Sequence, residues 1–516
     1  MRAFEDVKAI AQAPHPVGST ENLRVREYLF ARMQQLGLKP REIVGQRNGV
    51  KVVNLYGQLE GTQLSNPPIL LIAHYDSTPH GPGAADDASG VATILETVRA
   101  LTARGRLPNT LGILLTDGEE LPGVLLGSAT FVHDQPDLVR DLRVVVNLEA
   151  RGNHGPVLMF QTGHDNDGLI QFFSRACPLP VAASFSEEIY RRMPNDTDFT
   201  EFMKAGKRGF NFAFVGGIRY YHRPEDTPAN LSLRTLQHYG ECVLPLAMRL
   251  SQADDAALER CLQPGDATFF PLWRGLLVHY PAWLARVLAW LTAGLFILAA
   301  CRGILSAALR VRFVMASLGV ILLTASLAFG VGLGVVFGSM RHFKAGHYGP
   351  FVVGVPFAGG VLAGVLVLSA VITVALRVWL LRRAKPSEAL AGSLVMWVAL
   401  TLIMNKLLPG ASYLFAWPAF FGAIALLLSC DVPGRPRVRM LLPIILTALP
   451  APLLFAPAIL LMHQAITIGI APISAAIAAL VFGLVPVGQL PEGWLTEATP
   501  LNQKTNSPKP AAIEKL

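Results

Sequence analysis

Between Asp266 and Glu492 the chain carries only two acidic residues, Glu388 and Asp431. A water-soluble domain of that length needs charged surface, so this stretch must be solvated by something other than water. Its apolar runs reach the ~20 residues that a helix needs to cross a hydrocarbon layer. About seven such runs stand between Trp283–Leu305, Phe313–Phe337, Phe351–Leu376, Leu390–Leu407, Ala411–Leu428, Met440–Leu461 and Ala465–Val487. The expectation is an all-α, multi-span transmembrane domain over residues 281–488. A polar, Pro-bearing tail over 489–516 is expected to be disordered. The remaining 265 N-terminal residues have ordinary globular composition, although the whole chain is 52% hydrophobic and only 16% charged.

The net charge of +8 arises where acids are missing, which fits flanking of a lipid bilayer and gives no nucleic-acid footprint. The five cysteines are scattered and form no CxxC pair. Basic residues fall in alternate loops: Arg302, Arg310 and Arg312, then Arg377, Arg382, Arg383 and Lys385, then Arg435, Arg437 and Arg439. The positive-inside rule makes those loops cytoplasmic and puts the N-terminal domain on the other side. Met1 to Gln12 lack the features of an export signal, so the expectation is that the true start lies upstream. Within the apolar half, Asn405 with Lys406 and His463 with Gln464 are read either as span-end residues or as marks of a transport path.

Over residues 1–265 short apolar runs alternate with helical spacing, which predicts an α/β domain with a mixed central sheet flanked by helices. Strands are expected at Pro68–Ala73, Leu111–Leu115, Arg143–Leu148 and Phe210–Val215, with a helix through Val91, Ile94, Leu95, Val98 and Leu101. Chemistry gathers where those strands end. His74-Tyr75-Asp76 follows the first, Asp117-Gly118-Glu119-Glu120 the second, Glu149 ends the third, and Tyr221-His222 follows the fourth; Ala85-Asp86-Asp87-Ala88-Ser89-Gly90 opens the helix. Open α/β sheets bind ligands at such edges.

Singly, each residue has an ordinary explanation. A His after a strand is usually a hydrogen-bonded surface group, an Asp at a helix start an N-cap, and an adjacent Glu pair a solvated loop. Together they are two imidazoles and several carboxylates delivered to one edge. A fold gains nothing by crowding carboxylates unless cations neutralise them, and nitrogen and oxygen donors of this kind suit a pair of divalent ions such as zinc.

These motifs, in this order over residues 74–222, resemble the M28 co-catalytic zinc exopeptidases. The early Pro14-His15-Pro16-Val17-Gly18-Ser19 segment, Asn195-Asp196-Thr197-Asp198-Phe199 and the apolar second half resemble the membrane-bound branch of endoplasmic-reticulum metallopeptidases and fungal vacuolar membrane proteases. The resemblance implies two zinc ions per chain, bridged by Asp86, with His74 and Glu149 completing one site and Glu120 and His222 the other. It makes Glu119 the general base. Asp76 and Asp226 are candidates to orient His74 and His222, Asp196 a weaker outer candidate, and Tyr221 a candidate donor to the developing oxyanion. Asp87 reads as a helix-start residue. Many aminopeptidases of the family carry Asp where Glu149 stands, which leaves the substrate terminus open.

The resulting expectation is a membrane-anchored zinc aminopeptidase acting on short peptides outside the cytoplasm. The alternatives are a carboxypeptidase or dipeptidase of the same family, a glutaminyl cyclase, which shares the fold but uses one zinc, and a non-catalytic receptor or assembly subunit. Asn195-Asp196-Thr197 fits a glycosylation sequon, yet beside the site a glycan would obstruct substrate. A bacterial inner membrane with a periplasmic catalytic domain is therefore expected, or a lumenal one in a eukaryote.

Overall fold

The computed structural model describes residues 2–47, 49–63, 68–273, 275–342, 357–429 and 438–485. The expected C-terminal tail, the loop holding Arg435 and Arg437, and the start of the span expected from Phe351 lie outside them.

A seven-stranded mixed sheet organises the N-terminal half. Its strands, numbered in chain order, are β1 (Arg41–Arg47), β2 (Val50–Leu59), β3 (Ile69–His74), β4 (Leu111–Thr116), β5 (Val144–Ala150), β6 (Leu158–Gln161) and β7 (Arg208–Phe214), arranged β1-β2-β4-β3-β5-β7-β6. The four central strands β4, β3, β5 and β7 run parallel, while β1, β2 and β6 pair antiparallel at the flanks. Ile69 to His74 and Leu111 to Thr116 are buried throughout, as expected of strands covered on both faces.

One face is covered by α1 (Arg2–Ile10), α2 (Thr20–Gln35), α3 (Ala88–Thr102), α6 (Asp167–Ala176), α9 (Leu233–Gln252) and α10 (Asp255–Cys261). The other is covered by α4 (Leu126–Asp134), α5 (Pro136–Asp141) and α8 (Asp198–Lys204), through Phe131, Val139, Phe199 and Phe202. The chain passes from β3 to β4 on one side and returns to β5 on the other, so the strand order reverses between β3 and β5. His74 and Glu149 end those two strands, at the point where such sheets bind ligands.

A separate hairpin, β8 (Ala267–Trp273) with β9 (Leu276–Pro281), leads into the helical half. Its helices are α11 (Ala282–Leu305), α12 (Val311–His342), α13 (Ala358–Leu380), α14 (Pro386–Leu407), α15 (Tyr413–Ser429), α16 (Val438–Ala448), α17 (Pro450–Ile466) and α18 (Ala471–Leu484). Among the described residues five helical stretches are long and apolar enough to cross a membrane, where about seven were expected. The difference lies at the end of the chain. α15 is apolar but has 17 residues, and Leu442–Leu484 forms one apolar stretch of 43 residues. That stretch is interrupted before Pro450, which lacks the N–H a continuous helix requires, and turns through Thr467–Ile470, where Thr467 has φ 50°. The C-terminal turns of α17 meet the N-terminal half, while the end of α18 lies at the far ends of α13 and α14: Arg377 donates to Phe482 O and Gly483 O, and Ser393 Oγ donates to Gly483 O.

At that far end Glu388 is fully buried and accepts from Arg310 Nε at 2.7 Å and Nη2 at 2.9 Å and from the backbone N–H of Lys385 at 2.7 Å. One of the two acids of the apolar half thus ties α12 to α14. At the near end, Ser184 Oγ donates to Gly410 O, Gly410 N–H donates to Glu188, and Arg192 donates to Leu407 O, so α7 (Ser184–Tyr190) is the seam between the halves. Asn405, Lys406, His463 and Gln464 all lie in the last turns of their helices at this near end.

α7 is pinned to the sheet by Glu187, which is buried and accepts from Thr162 Oγ1 and Gly163 N–H at 2.9 Å each. Burial pushes its carboxyl up to about 7, against the pull of Arg191 and these donors. The neutral acid is therefore the stabilising form: its contribution is complete below the unfolded value of about 4.5 and is lost as pH rises through about 7. Glu187→Gln stays neutral throughout. Its stability relative to wild type is expected to rise between pH 5 and pH 8 by up to about 3 kcal/mol. Thermal unfolding of the full chain at the two pH values measures this, and a pH-independent difference contradicts it.

Candidate metal centre

Asp86 sits at the middle of the strand ends. Its Oδ1 lies 3.3 Å from His74 Nε2, and its Oδ2 lies 3.2 Å from His222 Nε2. Glu149 Oε2 is 3.7 Å from the His74 ring nitrogen, and Glu120 Oε1 is 3.0 Å from that of His222. One carboxylate thus faces two His–Glu pairs, one with each oxygen. Ligand atoms of His74, Asp86 and Glu120 all lie within 4.8 Å of one another.

The loops that deliver these groups are held by acids bound to backbone. Asp226 accepts from the N–H groups of Ala85 at 2.8 Å and Asp86 at 3.3 Å, which fixes the turn carrying Asp86. Asp87 caps α3 by accepting from Gly90 N–H at 3.0 Å, and the peptide bond between Asp86 and Asp87 is cis. Asp76 accepts from the N–H groups of Glu119 at 3.2 Å and Glu120 at 3.1 Å. His74 Nδ1 lies 3.0 Å from the carbonyl of Asp76 and 3.6 Å from its carboxylate, so the carbonyl is the nearer orienting partner and the carboxylate chiefly organises the Glu119-Glu120 loop. Asp226 and Asp76 thus both hold backbone, and Asp76 also faces the His74 ring.

Asp196 is exposed and accepts from Thr200 Oγ1, at the rim and away from the cluster. The buried acid of that segment is Asp198, on which Thr116 Oγ1 donates; Thr116 is the strand partner of His74. Sequence reading also passed over Asn147, whose Nδ2 donates to Glu149 Oε1 at 3.1 Å, and Tyr239, whose hydroxyl accepts from Glu149 N–H at 2.8 Å. Strand alternation puts Asn147 and Glu149 on one face, which is the signal that was available. The Pro14–Ser19 segment packs under the same loops: Ser77 Oγ accepts from His15 N–H, and Asn22 donates to Asp117. Tyr221 stacks on His222 with ring centroids 3.8 Å apart, and His222 holds φ 55°, a left-handed backbone that a non-glycine residue adopts only when its surroundings impose it.

The electrostatics are those of a cluster short of positive charge. Burial pushes Glu149 up to about 8 and Glu120 to about 7, in both cases with Asp86 adding to the effect and a histidine opposing it. Burial, with the charges of Glu149 and Glu120, holds Glu119 well above the usual carboxylate range. Burial works against the cation of His222, yet Asp86 and Glu120 raise it to about 10; the same contest, won by Asp76 and Asp86, puts His74 well above its ordinary value. Asp86 alone is lowered, because both imidazoles outweigh its burial. Among the described residues Asp86 Oδ2 is buried with no aligned hydrogen-bond donor. Two imidazole nitrogens and three carboxylates around such an atom fit zinc, which accepts both donor types.

Two cavities meet here. One, of about 120 Å³, runs from Asp86, Glu119 and Glu149 to apolar side chains of β6, α7 and α17. The other, of about 920 Å³, is an open groove past Glu120, His80 and Lys204. Glu119, Tyr221, Asn195 and Asp196 line both.

Residues 54–247 match the family model described as Peptidase family M28. Endoplasmic reticulum metallopeptidase 1 of Mus musculus is 30% identical over 240 residues, a match covering 46% of this chain and 26% of the relative. The vacuolar membrane protease of Candida tropicalis is 31% identical over 250 residues, covering 45% and 27%. The chain therefore spans about a quarter of the length of these relatives. Among solved structures, the aminopeptidase from Aneurinibacillus sp. strain AM-1 aligns with a TM-score of 0.41 at 13% identity, over 51% of this chain and 96% of that one. Glutaminyl cyclases stand among the same matches. Every residue gathered around Asp86 lies within the stretch 54–247 that matches the M28 peptidase family.

Proposed function

We propose that the protein is a membrane-anchored di-zinc aminopeptidase that removes residues from short peptides on the non-cytoplasmic side. The observation that carries this reading is Asp86, whose two oxygens each face a separate His–Glu pair. Asp86 would bridge two ions, His74 with Glu149 holding one and Glu120 with His222 the other. When bound, the ions would supply the Lewis acidity that brings a water's pKa towards neutrality and polarises a peptide carbonyl.

The chain's own residues supply the rest. Glu119 lies beside the ligands on a loop held by Asp76, where a carboxylate can both take and give a proton. Its carboxylate takes the proton of the attacking water as the water oxygen bonds to the carbonyl carbon. As the C–N bond breaks, the same oxygen hands that proton to the leaving amine. Tyr221, at the mouth of both cavities, is the candidate donor to the carbonyl oxygen. The acidic surroundings favour a substrate with a free ammonium group over one with a carboxylate.

A second reading has one observation in its favour. Arg151 lines the same small cavity, and a guanidinium there suits recognition of a terminal carboxylate, as in a carboxypeptidase or dipeptidase. Digestion of peptides labelled at either end separates the two.

The membrane reading draws on the five apolar stretches and on the clustering of Arg302, Arg310, Arg312, Arg377, Arg382, Arg383 and Lys385 at the end of the bundle remote from the metal centre. By the positive-inside rule that end is cytoplasmic. Asn195 lines the cavity, so a glycan there would block it, which favours a periplasmic setting.

Two outcomes are expected. Glu119→Gln should retain its metal and lose about 10²- to 10⁴-fold in kcat, measured by peptide cleavage beside metal analysis; full activity in that variant contradicts the assignment of the base. Asp226→Ala, which frees the backbone of the Asp86 turn, should weaken zinc binding about 10- to 100-fold in competition with a chelator, while circular dichroism of the loaded protein stays unchanged.

A further inference from the structure

Five apolar stretches among the described residues are more than an anchor requires, and α17 shows a use for part of one of them. Its final turns leave the helical bundle and close the small cavity that begins at Asp86, Glu119 and Glu149: Leu461, Met462, Ala465 and Ile466 form one wall. The facing walls are Phe160 of β6 and Ile189 and Tyr190 of α7, with the Phe160 and Tyr190 rings 4.7 Å apart edge to face. Leu461 packs into the same apolar cluster as Leu158, Phe160 and Ala213 of the sheet edge. The helix end is fixed in place: His463 Nδ1 lies 3.0 Å from Thr467 O, closing the last turn, and Gln464 borders Gly155 of the loop that follows β5.

We propose that α17 is a specificity element of the catalytic site, and that the pocket it completes takes a large apolar side chain of the substrate residue whose carbonyl is attacked. This rests on the peptidase reading above. The two cavities divide the work by their chemistry. The larger groove mixes polar and apolar walls and is broad enough for a peptide backbone; the small cavity is lined mainly by apolar side chains, with Arg151, Ser186, Asn195 and Thr197 as polar exceptions besides its acidic end. A peptide lying across Glu119 and Tyr221, where the cavities join, can place the adjoining side chain in the α17 pocket. Apolar pockets of this kind discriminate by fit, about 10- to 200-fold per methylene. Because one wall belongs to the membrane half, the preference would be lost when that half is removed or displaced, although every candidate metal ligand lies before residue 223.

The test uses the full chain, zinc-loaded in detergent or lipid nanodiscs. Ala465→Trp fills the pocket, Met462→Ala enlarges it, and Leu453→Trp, two turns back on a lipid-exposed position, is the control. Two readouts are taken: kcat/KM for peptides beginning with Leu, Phe, Ala or Gly, and calorimetric binding of the Leu and Gly peptides in a Glu119→Gln background. Ala465→Trp is expected to lower kcat/KM for Leu and Phe peptides about 10- to 100-fold while Gly and Ala peptides change less than about threefold. Met462→Ala should move the preference from Leu towards Phe, and the control should match wild type. Equal losses for all four peptides, or no change in any, overturns the proposal. If the wild type binds zinc and cleaves none of the peptides, the peptidase reading fails by itself. The binding arm then still decides the pocket: selective loss of Leu-peptide binding in Ala465→Trp upholds it, and unchanged binding overturns it.

Discussion

The site depends on a surplus of buried negative charge around one aspartate. Asp86, Glu119, Glu120 and Glu149 are brought together by three separate segments, and folding alone has no reason to assemble them. Burial and mutual repulsion hold the Glu120 and Glu149 carboxyls above their ordinary values, and the surrounding carboxylates raise the His74 and His222 imidazoles. A pair of divalent ions would offset that repulsion and turn the crowding into metal affinity, and the rest of the N-terminal half is the framework that prevents these groups from moving apart.

That framework is itself built from acids, each engaged with backbone. Asp226 grips the turn of Asp86, Asp76 grips the Glu119-Glu120 loop, and Asp117 is held between Val53 N–H and Asn22. A carboxylate accepting main-chain N–H bonds positions a whole loop, whereas one accepting from an imidazole orients a single ring. The Pro14–Ser19 segment, distant in sequence, is part of this arrangement because it packs directly beneath Ser77 and Asp117.

Much of this was legible in the chain. The parallel core strands follow from unbroken apolar runs such as Ile69–Ala73, which only a doubly covered strand requires, and the chemistry-bearing residues follow directly after them. The flanking strands β1 and β2 were less visible, because Arg41–Arg47 reads Arg-Glu-Ile-Val-Gly-Gln-Arg with little apolar periodicity and gains its strand state from pairing. Within the site, the types of residue pointed to metal chemistry, but which carboxylate binds backbone and which faces the centre is a matter of loop geometry. Asp196 and Asp198 illustrate this: two residues apart in sequence, one is exposed at the rim and the other buried beside the partner strand of His74. In the helical half hydropathy located the spans, yet it could not show that Pro450 divides one run or that Thr467 turns another. Nor could it show that α17 reaches the site, since the polar pair His463-Gln464 within Leu461–Ile466 fits any span end.

The account joins the two halves through one geometry: a bridging aspartate at a strand-order reversal, acids that hold its loops, and a helix from the apolar half closing the cavity beside it. Its central claim is that Asp86 stands between two ions. Anomalous diffraction at the zinc edge from crystals of the full chain tests this directly. The account predicts two peaks about 3.5–4 Å apart flanking the Asp86 carboxylate, one near His74 and Glu149 and the other near Glu120 and His222; a single peak, or peaks remote from Asp86, would contradict it.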